Sequence, residues 1–367
     1  MPNYGNAVRS ITGKLRLLFL VTFIFFLILG VSGRGKKEFS LSQNTGMPVI
    51  SLTLDSETDF PTDNKEEPCG VTYGCAEKFP TDNSGSCAVI CADTGKVLYA
   101  KNADTPMPMA STTKIMTALC ALDFLPEQQM ITVPPEVCGI EGSSIYLSAG
   151  EKLSVQDLLY GLLLESGNDA ACALAVAACG DIEDFVSYMN RKAKDMGLVA
   201  THFENPHGLS AEGHVTTARE LAIITYHALK NETFRKICGT KNYTVTDEKG
   251  AAVKYFSNHN RFLGLYEGAF GVKTGYTLNS GRCLVTSAKR GSSSFIAVTL
   301  NDRNDFADHA KLLDHAFGNY QTVNIAKKNS LALIIGGKTY TNNADALVCT
   351  EKSAASLCDT EIILTKS

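Results

Sequence analysis

A serine and a lysine stand three positions apart, at Ser111 and Lys114, where the sequence predicts the start of a helix. Residues at that spacing lie on adjacent turns of one helix face, so the lysine amine could act as base for the serine hydroxyl. A lysine amine with an ordinary pKa of about 10 is protonated at neutral pH, and it loses its proton only if burial and a nearby cation lower that pKa. The pair therefore predicts a serine nucleophile for acyl transfer, provided that the fold buries Lys114.

Two further short motifs carry groups that could complete such a site. A Ser-Gly-Asn motif brings Ser166 and Asn168 into one turn. A Lys-Thr-Gly motif follows, at Lys273, Thr274 and Gly275. Each motif alone can arise by chance, but their order along one chain favours a single acyl-transfer site. The sequence has no Gly-x-Ser-x-Gly motif, so a Ser-His-Asp hydrolase is a poor alternative.

Apolar periodicity and turn residues outline the elements that would position these motifs. Apolar side chains at helical spacing after Ser111 predict a buried helix that opens at the nucleophile. Ser154 with Asp157 forms a capping signature for another helix. The other predicted elements are strands at 88–91, 96–99, 271–277, 281–288 and 295–300 and helices at 169–178, 182–196 and 306–317. Strands at both ends of a helical middle predict an α+β domain whose first and last strands share one antiparallel sheet.

The three motifs in this order resemble those of penicillin-binding proteins and class A β-lactamases, although the middle motif of those proteins is usually Ser-Asp-Asn. The chain resembles in particular the serine D-alanyl-D-alanine carboxypeptidases, the low-molecular-mass penicillin-binding proteins of the S11 peptidase type. Stretches at 93–99, 205–209, 217–219 and 271–277 also look like signatures of that family. The resemblance covers about 85–320. It implies a β-lactamase/transpeptidase-like domain, with helices flanking the antiparallel sheet.

The resemblance also implies roles in catalysis. Ser111 would attack the carbonyl of the penultimate D-alanine, with Lys114 as base, and would form an acyl-enzyme. Ser166 would relay a proton to the leaving amine, and Asn168 would bind an amide of the substrate. Backbone N–H groups of Ser111 and Tyr276 would hold the oxyanion.

A second group of residues would recognise the end of the substrate. Lys273 and Thr274 would hold the terminal carboxylate, and Gly275 would leave room for the peptide against the strand. Arg303, after the last strand, is a candidate second partner for that carboxylate, and an ordinary surface arginine is an equally good interpretation. His207 lies in an Asn-Pro-His-Gly loop, where a structural hydrogen bond is favoured over catalysis.

Two alternative functions stay open beside the carboxypeptidase. A class A β-lactamase needs an added glutamate to hydrolyse its acyl-enzyme, and the Glu-x-x-Leu-Asn signature is absent after Ser166. A non-catalytic sensor of β-lactams or peptidoglycan would keep the pocket without turnover. The predicted ligands are peptidoglycan stem peptides, with β-lactams as covalent inhibitors. No cofactor is predicted, and without a Cys-x-x-Cys or His-Glu-x-x-His motif no metal site is predicted either.

Composition limits the remaining classes. The 367 residues are 44% hydrophobic and 20% charged, with a formal net charge of −4, which is typical of a globular protein without a basic surface for nucleic acid. Residues 1–33 combine Arg9, Lys14 and Arg16 with an apolar run from 17 to 31, which predicts a signal peptide or an N-terminal membrane anchor. We therefore expect export to the outer face of the bacterial cytoplasmic membrane or to the cell wall, with membrane contact only if that segment is retained.

The segments on either side of the predicted domain are less informative. Residues 34–84 are mostly polar and contain Phe-Pro-Thr-Asp-Asn twice, which predicts a linker or, less favoured, a small wall-binding or partner-binding element. Residues 321–367 predict a short β-rich segment, with strands at 331–335 and 361–365. Related enzymes often have a longer β domain and a C-terminal anchor, and this segment is too short for both.

The chain contains twelve cysteines, which in an exported protein raises the question of disulfides. Four of them lie in apolar helix or strand patterns that favour buried free thiols, namely Cys120, Cys172, Cys179 and Cys283. Local pairing is open for Cys69 with Cys75 and for Cys349 with Cys358, because sequence does not show the geometry.

Overall fold

The structure is a computed structural model that describes residues 37–42, 49–54, 79–80, 82–247, 249–326, 332–335, 338–341 and 344–352. Its strands, numbered β1 to β15 in chain order, are Lys37–Ser42, Val49–Leu54, Ser86–Cys91, Val97–Lys101, Met130–Thr132, Lys152–Ser154, Asn242–Thr246, Ala252–Ser257, Ala269–Thr277, Gly281–Arg290, Ser293–Leu300, Tyr320–Ala326, Ala332–Ile335, Lys338–Thr341 and Ala346–Glu351.

Its α-helices, numbered α1 to α8, are Lys114–Phe124, Val155–Leu164, Asn168–Cys179, Ile182–Asp195, Ala218–Lys230, Glu232–Cys238, Phe262–Leu265 and Asp305–Asn319. Two 3₁₀ turns lie at Ala110–Thr113 and Pro135–Val137. The helices and strands predicted between 88 and 317 are present, with ends that differ from the predictions by a few residues. The capping box predicted for α2 is also present, because the Ser154 hydroxyl and the Asp157 carboxylate each accept from the other residue's backbone N–H.

The largest sheet has five antiparallel strands in the order β4-β3-β11-β10-β9. The early strand β3 pairs with the late strand β11, so that Ile90 lies opposite Ile296. This pairing confirms the α+β prediction that the first and last strands share one sheet. Strand β9, which contains the Lys-Thr-Gly motif, is an edge strand of this sheet with β10 as its neighbour.

Two cores cover the two faces of this sheet. Alternate residues of a strand point to opposite faces, and in β3 Ile90 belongs to the core that contains helices α1 to α3, whereas Val89 and Cys91 belong to the other core. That second core includes Leu312 and Phe317 of α8. The sheet is therefore buried on both faces, which holds the edge strand β9 in a fixed position.

The start of α1 differs from the prediction. The helix was expected to open at Ser111, but the α-helix begins at Lys114, and Ser111 lies in the preceding 3₁₀ turn. Ala110 has a φ of 47°, in the left-handed region that residues other than glycine rarely adopt. The chain therefore turns sharply into the nucleophile position instead of running into it along a helix.

The chain divides into two compact units. One lies within 71–325 and 347–359 and contains the five-stranded sheet, and the other lies within 1–70, 326–346 and 360–367. In the second unit β1, β2, β13 and β14 form a four-stranded sheet. The predicted linker at 34–84 is thus not irregular throughout, because it contains β1 and β2. The residues of β2, Val-Ile-Ser-Leu-Thr-Leu, are strand formers whose pattern the linker prediction overlooked.

The predicted C-terminal β segment is also divided between the units. Strands β12 and β15 pair with each other, whereas β13 and β14 belong to the four-stranded sheet. The strand predicted at 331–335 is observed as β13, and the one predicted at 361–365 lies outside the described residues. Within the described part of the chain no helix is long and apolar enough to cross a membrane. The predicted signal segment at 1–33 lies outside that part.

Every cysteine that the structure describes has a free thiol. Of the four thiols expected to be buried, Cys120, Cys172 and Cys283 are buried and Cys179 is partly exposed. The two local pairs that the sequence leaves open, Cys69 with Cys75 and Cys349 with Cys358, involve cysteines outside the described residues.

Candidate active site

Ser111 and Lys114 meet as their spacing predicts. The Nζ of Lys114 lies 3.0 Å from the Oγ of Ser111. Ser111 does not cap the 3₁₀ turn, which has Met109 at its N-cap position and no side-chain capping bond. The serine hydroxyl is therefore aimed at an amine.

The other contacts of the Lys114 amine are two oxygen acceptors. Its Nζ lies 2.7 Å from Oδ1 of Asn168 and 2.6 Å from the backbone oxygen of His207. A neutral amine has two N–H groups and a lone pair, whereas an ammonium has three N–H groups and no acceptor. With Lys114 neutral, its two N–H groups donate to these oxygens, and its lone pair can accept the hydroxyl proton of Ser111.

Burial and charge both favour the neutral form of Lys114. Its side chain is fully buried, and this burial, together with the positive charge of Lys273, holds the pKa of Lys114 well below its usual value. Burial also lowers the pKa of Lys273 to about 7. A bound anion would favour the charged form of Lys273.

Asn168 is brought to Lys114 rather than to the cleft. Besides accepting from Lys114, its side chain donates from Nδ2 to the backbone oxygen of Glu141 at 2.6 Å, and its backbone N–H donates to the oxygen of Ser143 at 2.7 Å. The amide thus ties the lysine to the loop at 141–143. This geometry favours a positioning role for Asn168 over the predicted contact with the substrate.

Ser166 lies in the connection between α2 and α3, at the cleft wall. It is buried and has a φ of 63°. A left-handed conformation at a serine costs on the order of 1 kcal/mol or more, and such positions persist where surrounding structure holds them. The hydroxyl is thereby kept at the same cleft as Ser111, as the sequence predicts.

The Asn-Pro-His-Gly loop packs against the 3₁₀ turn Ala110–Thr113 that carries Ser111, here called the nucleophile turn. Gly208 has a φ of +93°, and a Cβ at this position would lie 2.0 Å from the backbone oxygen of Ala110. The side chain of Asn205 holds the loop by accepting from the N–H of Gly208 at 2.7 Å. The close approach places the carbonyl of His207 on the Lys114 amine, which is the loop's contribution to the site.

The Lys-Thr-Gly motif lines the other side of the nucleophile turn. Lys273 is buried on β9 and donates from Nζ to the backbone oxygen of Thr274 at 2.8 Å. A Cβ on Gly275 would lie 3.1 Å from the backbone nitrogen of Ser111. The glycine therefore allows the edge strand to approach the nucleophile, and the next residue, Tyr276, is exposed at the cleft.

These elements enclose a cleft of about 330 Å³. Its wall is formed by Ser111, Ser143, Ser166, His259, Arg261, Thr274, Gly275, Tyr276, Arg282, Asp305 and Phe306. Lys114, Asn168 and Lys273 are buried and are not part of this wall. The cleft wall thus combines hydroxyl groups with charged and aromatic side chains, while the two lysines lie beneath it.

Arg303 is the predicted site residue that the structure does not bring to the cleft. It is exposed and is not part of the cleft wall. Two other arginines, Arg261 and Arg282, are part of the cleft wall. Arg282 forms a bidentate pair with Asp305, with both N···O distances at 3.0 Å, whereas Arg261 is exposed, lies 5.5 Å from the centroid of the Phe306 ring and has no salt bridge among the described residues.

Sequence reasoning missed these arginines and one carboxylate that shapes the wall. Asp169 is buried and accepts from the backbone N–H groups of Ile145 and Leu147 at 3.1 and 3.0 Å and from the Ser144 hydroxyl at 2.6 Å. It fixes the loop that carries Ser143. An aspartate directly after Ser-Gly-Asn was the available signal, since a buried carboxylate must find donors.

Comparison with known proteins agrees with the geometry. Residues 74–304, more than half of the chain, match the S11 peptidase family, described as D-alanyl-D-alanine carboxypeptidase. The chain belongs to this family. All motifs that meet at the cleft fall within the matched residues.

S11 relatives with curated names and solved structures cover the same region. The chain is 40% identical over 257 residues to the D-alanyl-D-alanine carboxypeptidase DacF of Bacillus subtilis, a match that covers 66% of this chain and 64% of that protein. It is 37% identical over 267 residues to a D-alanyl-D-alanine carboxypeptidase of Streptomyces sp. strain K15, covering 68% and 92%. The crystal structure of the Streptomyces K15 DD-transpeptidase matches with a TM-score of 0.62 at 33% identity, covering 66% of this chain and 100% of that one.

Replacing Lys114 tests its role as base. The Lys114→Arg variant keeps a positive group that does not deprotonate at ordinary pH, so we expect acylation by a fluorescent penicillin to slow by about 10²- to 10⁴-fold. Rates would come from time courses of labelling, with circular dichroism to confirm folding. Near wild-type acylation by a folded Lys114→Arg protein would mean that another group takes the proton of Ser111.

Proposed function

We propose that this S11 family member is a serine-type D-alanyl-D-alanine carboxypeptidase. It would remove the terminal D-alanine from peptidoglycan stem peptides through an acyl-enzyme, and β-lactams would acylate the same serine. The observation that carries the proposal is the contact between the hydroxyl of Ser111 and a buried Lys114 amine whose other two partners are acceptors. The burial of that amine beside Lys273 supports a lysine that is neutral before substrate arrives.

Acylation would proceed in two steps. Lys114 accepts the hydroxyl proton while Oγ of Ser111 bonds to the carbonyl carbon of the penultimate D-alanine, and the carbonyl oxygen becomes an oxyanion. Backbone N–H groups of Ser111 and Tyr276 hold this oxyanion, which the close approach of β9 to the nucleophile turn supports. The C–N bond then breaks, and the proton passes through Ser166 to the leaving amine of D-alanine. Attack by water on the ester completes the cycle.

Recognition of the free terminus would rely on the cationic side of the cleft. Lys273 lies beside the nucleophile turn and Thr274 lines the wall, so together they can offer a charge and a hydroxyl to the terminal carboxylate. A second cation is better sought in Arg261 than in Arg303. Arg261 is at the cleft, whereas Arg282 is already neutralised by Asp305.

Where the enzyme acts is part of the same proposal. Peptidoglycan lies outside the cytoplasmic membrane, so the enzyme must be exported to reach it. The predicted signal segment or anchor at 1–33 would direct that export. The charged and apolar pattern of that segment supports export. Membrane contact would come only from this segment if it is retained.

The cleft offers little support for a β-lactamase. Rapid deacylation needs a carboxylate that activates water, and Asp305 is the only acidic side chain in the described cleft wall. Both of its oxygens accept from Arg282. An acyl-enzyme formed with penicillin should therefore persist.

A turnover experiment separates the candidate functions. We expect full-length protein to release D-alanine from a diacyl-Lys-D-Ala-D-Ala peptide and to keep a covalent penicillin label at Ser111, and we expect Ser111→Ala to lose both. Labelling without D-alanine release would indicate a sensor, and rapid loss of the label would indicate a β-lactamase. Transfer to an added glycine dipeptide in place of hydrolysis would indicate a transpeptidase. A label on Ser111→Ala would exclude this serine as nucleophile.

Recognition of the carboxylate can be tested by comparing acid and amide substrates. Amidating the terminal D-alanine removes a charge-assisted contact of roughly 1.5 to 3 kcal/mol, so kcat/KM should fall by about 10- to 150-fold. Lys273→Ala should reduce kcat/KM for the acid substrate and narrow the ratio of kcat/KM between the acid and the amide. Arg261→Ala should narrow it as well, whereas the matched control Arg303→Ala should leave it unchanged. Equal rates on acid and amide with the wild-type enzyme would exclude a carboxylate clamp.

A further inference from the structure

Two cysteines from distant parts of the chain meet in the core beneath α8. Cys91 ends β3, and Cys349 lies in β15, the last described strand. Both are buried free thiols of the same apolar core, and their side chains interact with each other. Two cysteine side chains must meet before a disulfide can join them.

Neighbouring contacts hold the two cysteines together. Cys91 Sγ lies 3.5 Å from the hydroxyl of Thr322 on β12, the strand that pairs with β15. The amine of Lys96, in the turn after β3, donates to the backbone oxygen of Cys349 at 3.1 Å. The two cysteines therefore lie where β3, the turn after it, β12 and β15 meet. Contacts of both Cys91 and Cys349 with neighbouring residues keep them close to each other.

A link between Cys91 and Cys349 would join the chain where it returns to this compact unit. The chain leaves this compact unit after Ile325 and returns at Leu347, two residues before Cys349. Strand β15 is held there by pairing in a two-stranded sheet with β12. A covalent bond from Cys349 to the five-stranded sheet would fix the returning strand.

We propose that Cys91 and Cys349 form a disulfide in the exported protein. The link is made by thiol–disulfide exchange with an external disulfide, either a small molecule or a disulfide-bearing oxidoreductase. The Cys91 thiolate attacks one sulfur of the oxidant and releases the other as a thiol. The Cys349 thiolate then attacks the mixed disulfide, which forms the Cys91–Cys349 bond and releases the second thiol.

In this exchange the protein loses two electrons and two protons, and the oxidant is reduced to two thiols. Because both thiols are buried in the folded chain, the exchange takes place before β15 docks.

Peptide mapping tests the pair directly. Full-length protein is unfolded with reductant, refolded in a glutathione redox buffer, unfolded again without reductant, alkylated and digested. We expect one cross-linked peptide that contains Cys91 and Cys349, both protected from alkylation, while the buried control thiols Cys120 and Cys283 are fully alkylated. Alkylation of both Cys91 and Cys349, or a link from Cys349 to Cys358, would overturn the proposal.

Matched variants exclude chance pairing. In Cys91→Ser the cross-linked peptide should disappear and Cys349 should become fully alkylated, and Cys349→Ser should have the corresponding effect on Cys91. Cys120→Ser should retain the link in full. If Cys91→Ser does not refold, the wild-type map still decides the matter, since it identifies the two linked residues without any substitution.

Discussion

The site depends on keeping one lysine amine neutral inside the protein. A fully buried ammonium at Lys114 would need three acceptors and would face the positive charge of Lys273. Three oxygens lie within hydrogen-bond distance of the amine and could serve either form, so it is burial beside Lys273 that favours the neutral one. Burial, which usually makes a charged residue costly, here favours the neutral amine that the proposed base role of Lys114 requires.

Several features of the fold follow from this requirement. Gly208 lets one loop carry a carbonyl to Lys114, and Gly275 lets the edge strand approach the turn of Ser111 from the other side. The sheet that contains β9 is packed on both faces, which fixes the position of β9 beside the turn of Ser111.

The sequence was sufficient to predict the parts of the site that lie on single elements. Ser111 with Lys114, the Ser-Gly-Asn turn and the Lys-Thr-Gly strand each depend on local spacing, and the sheet pairing follows from strands at both ends of the domain. What it did not reveal depends on contacts between distant segments. The carbonyl of His207 has no side-chain signature, Asn168 turned toward the lysine, and the cleft acquired Arg261 in place of Arg303 because tertiary packing decides which arginine reaches it.

The ionisation of Lys114 is the central claim, and nuclear magnetic resonance can measure it. Lysine ε-carbons labelled with ¹³C report whether each amine is charged, and the signal missing from Lys114→Arg identifies Lys114. We expect the Lys114 amine to lose its proton at a pH well below that at which the other lysines do, and to do so at a higher pH in Lys273→Ala, since a neighbouring positive charge has been removed. A Lys114 signal that stays charged up to about pH 10, as for an ordinary lysine, would contradict the account.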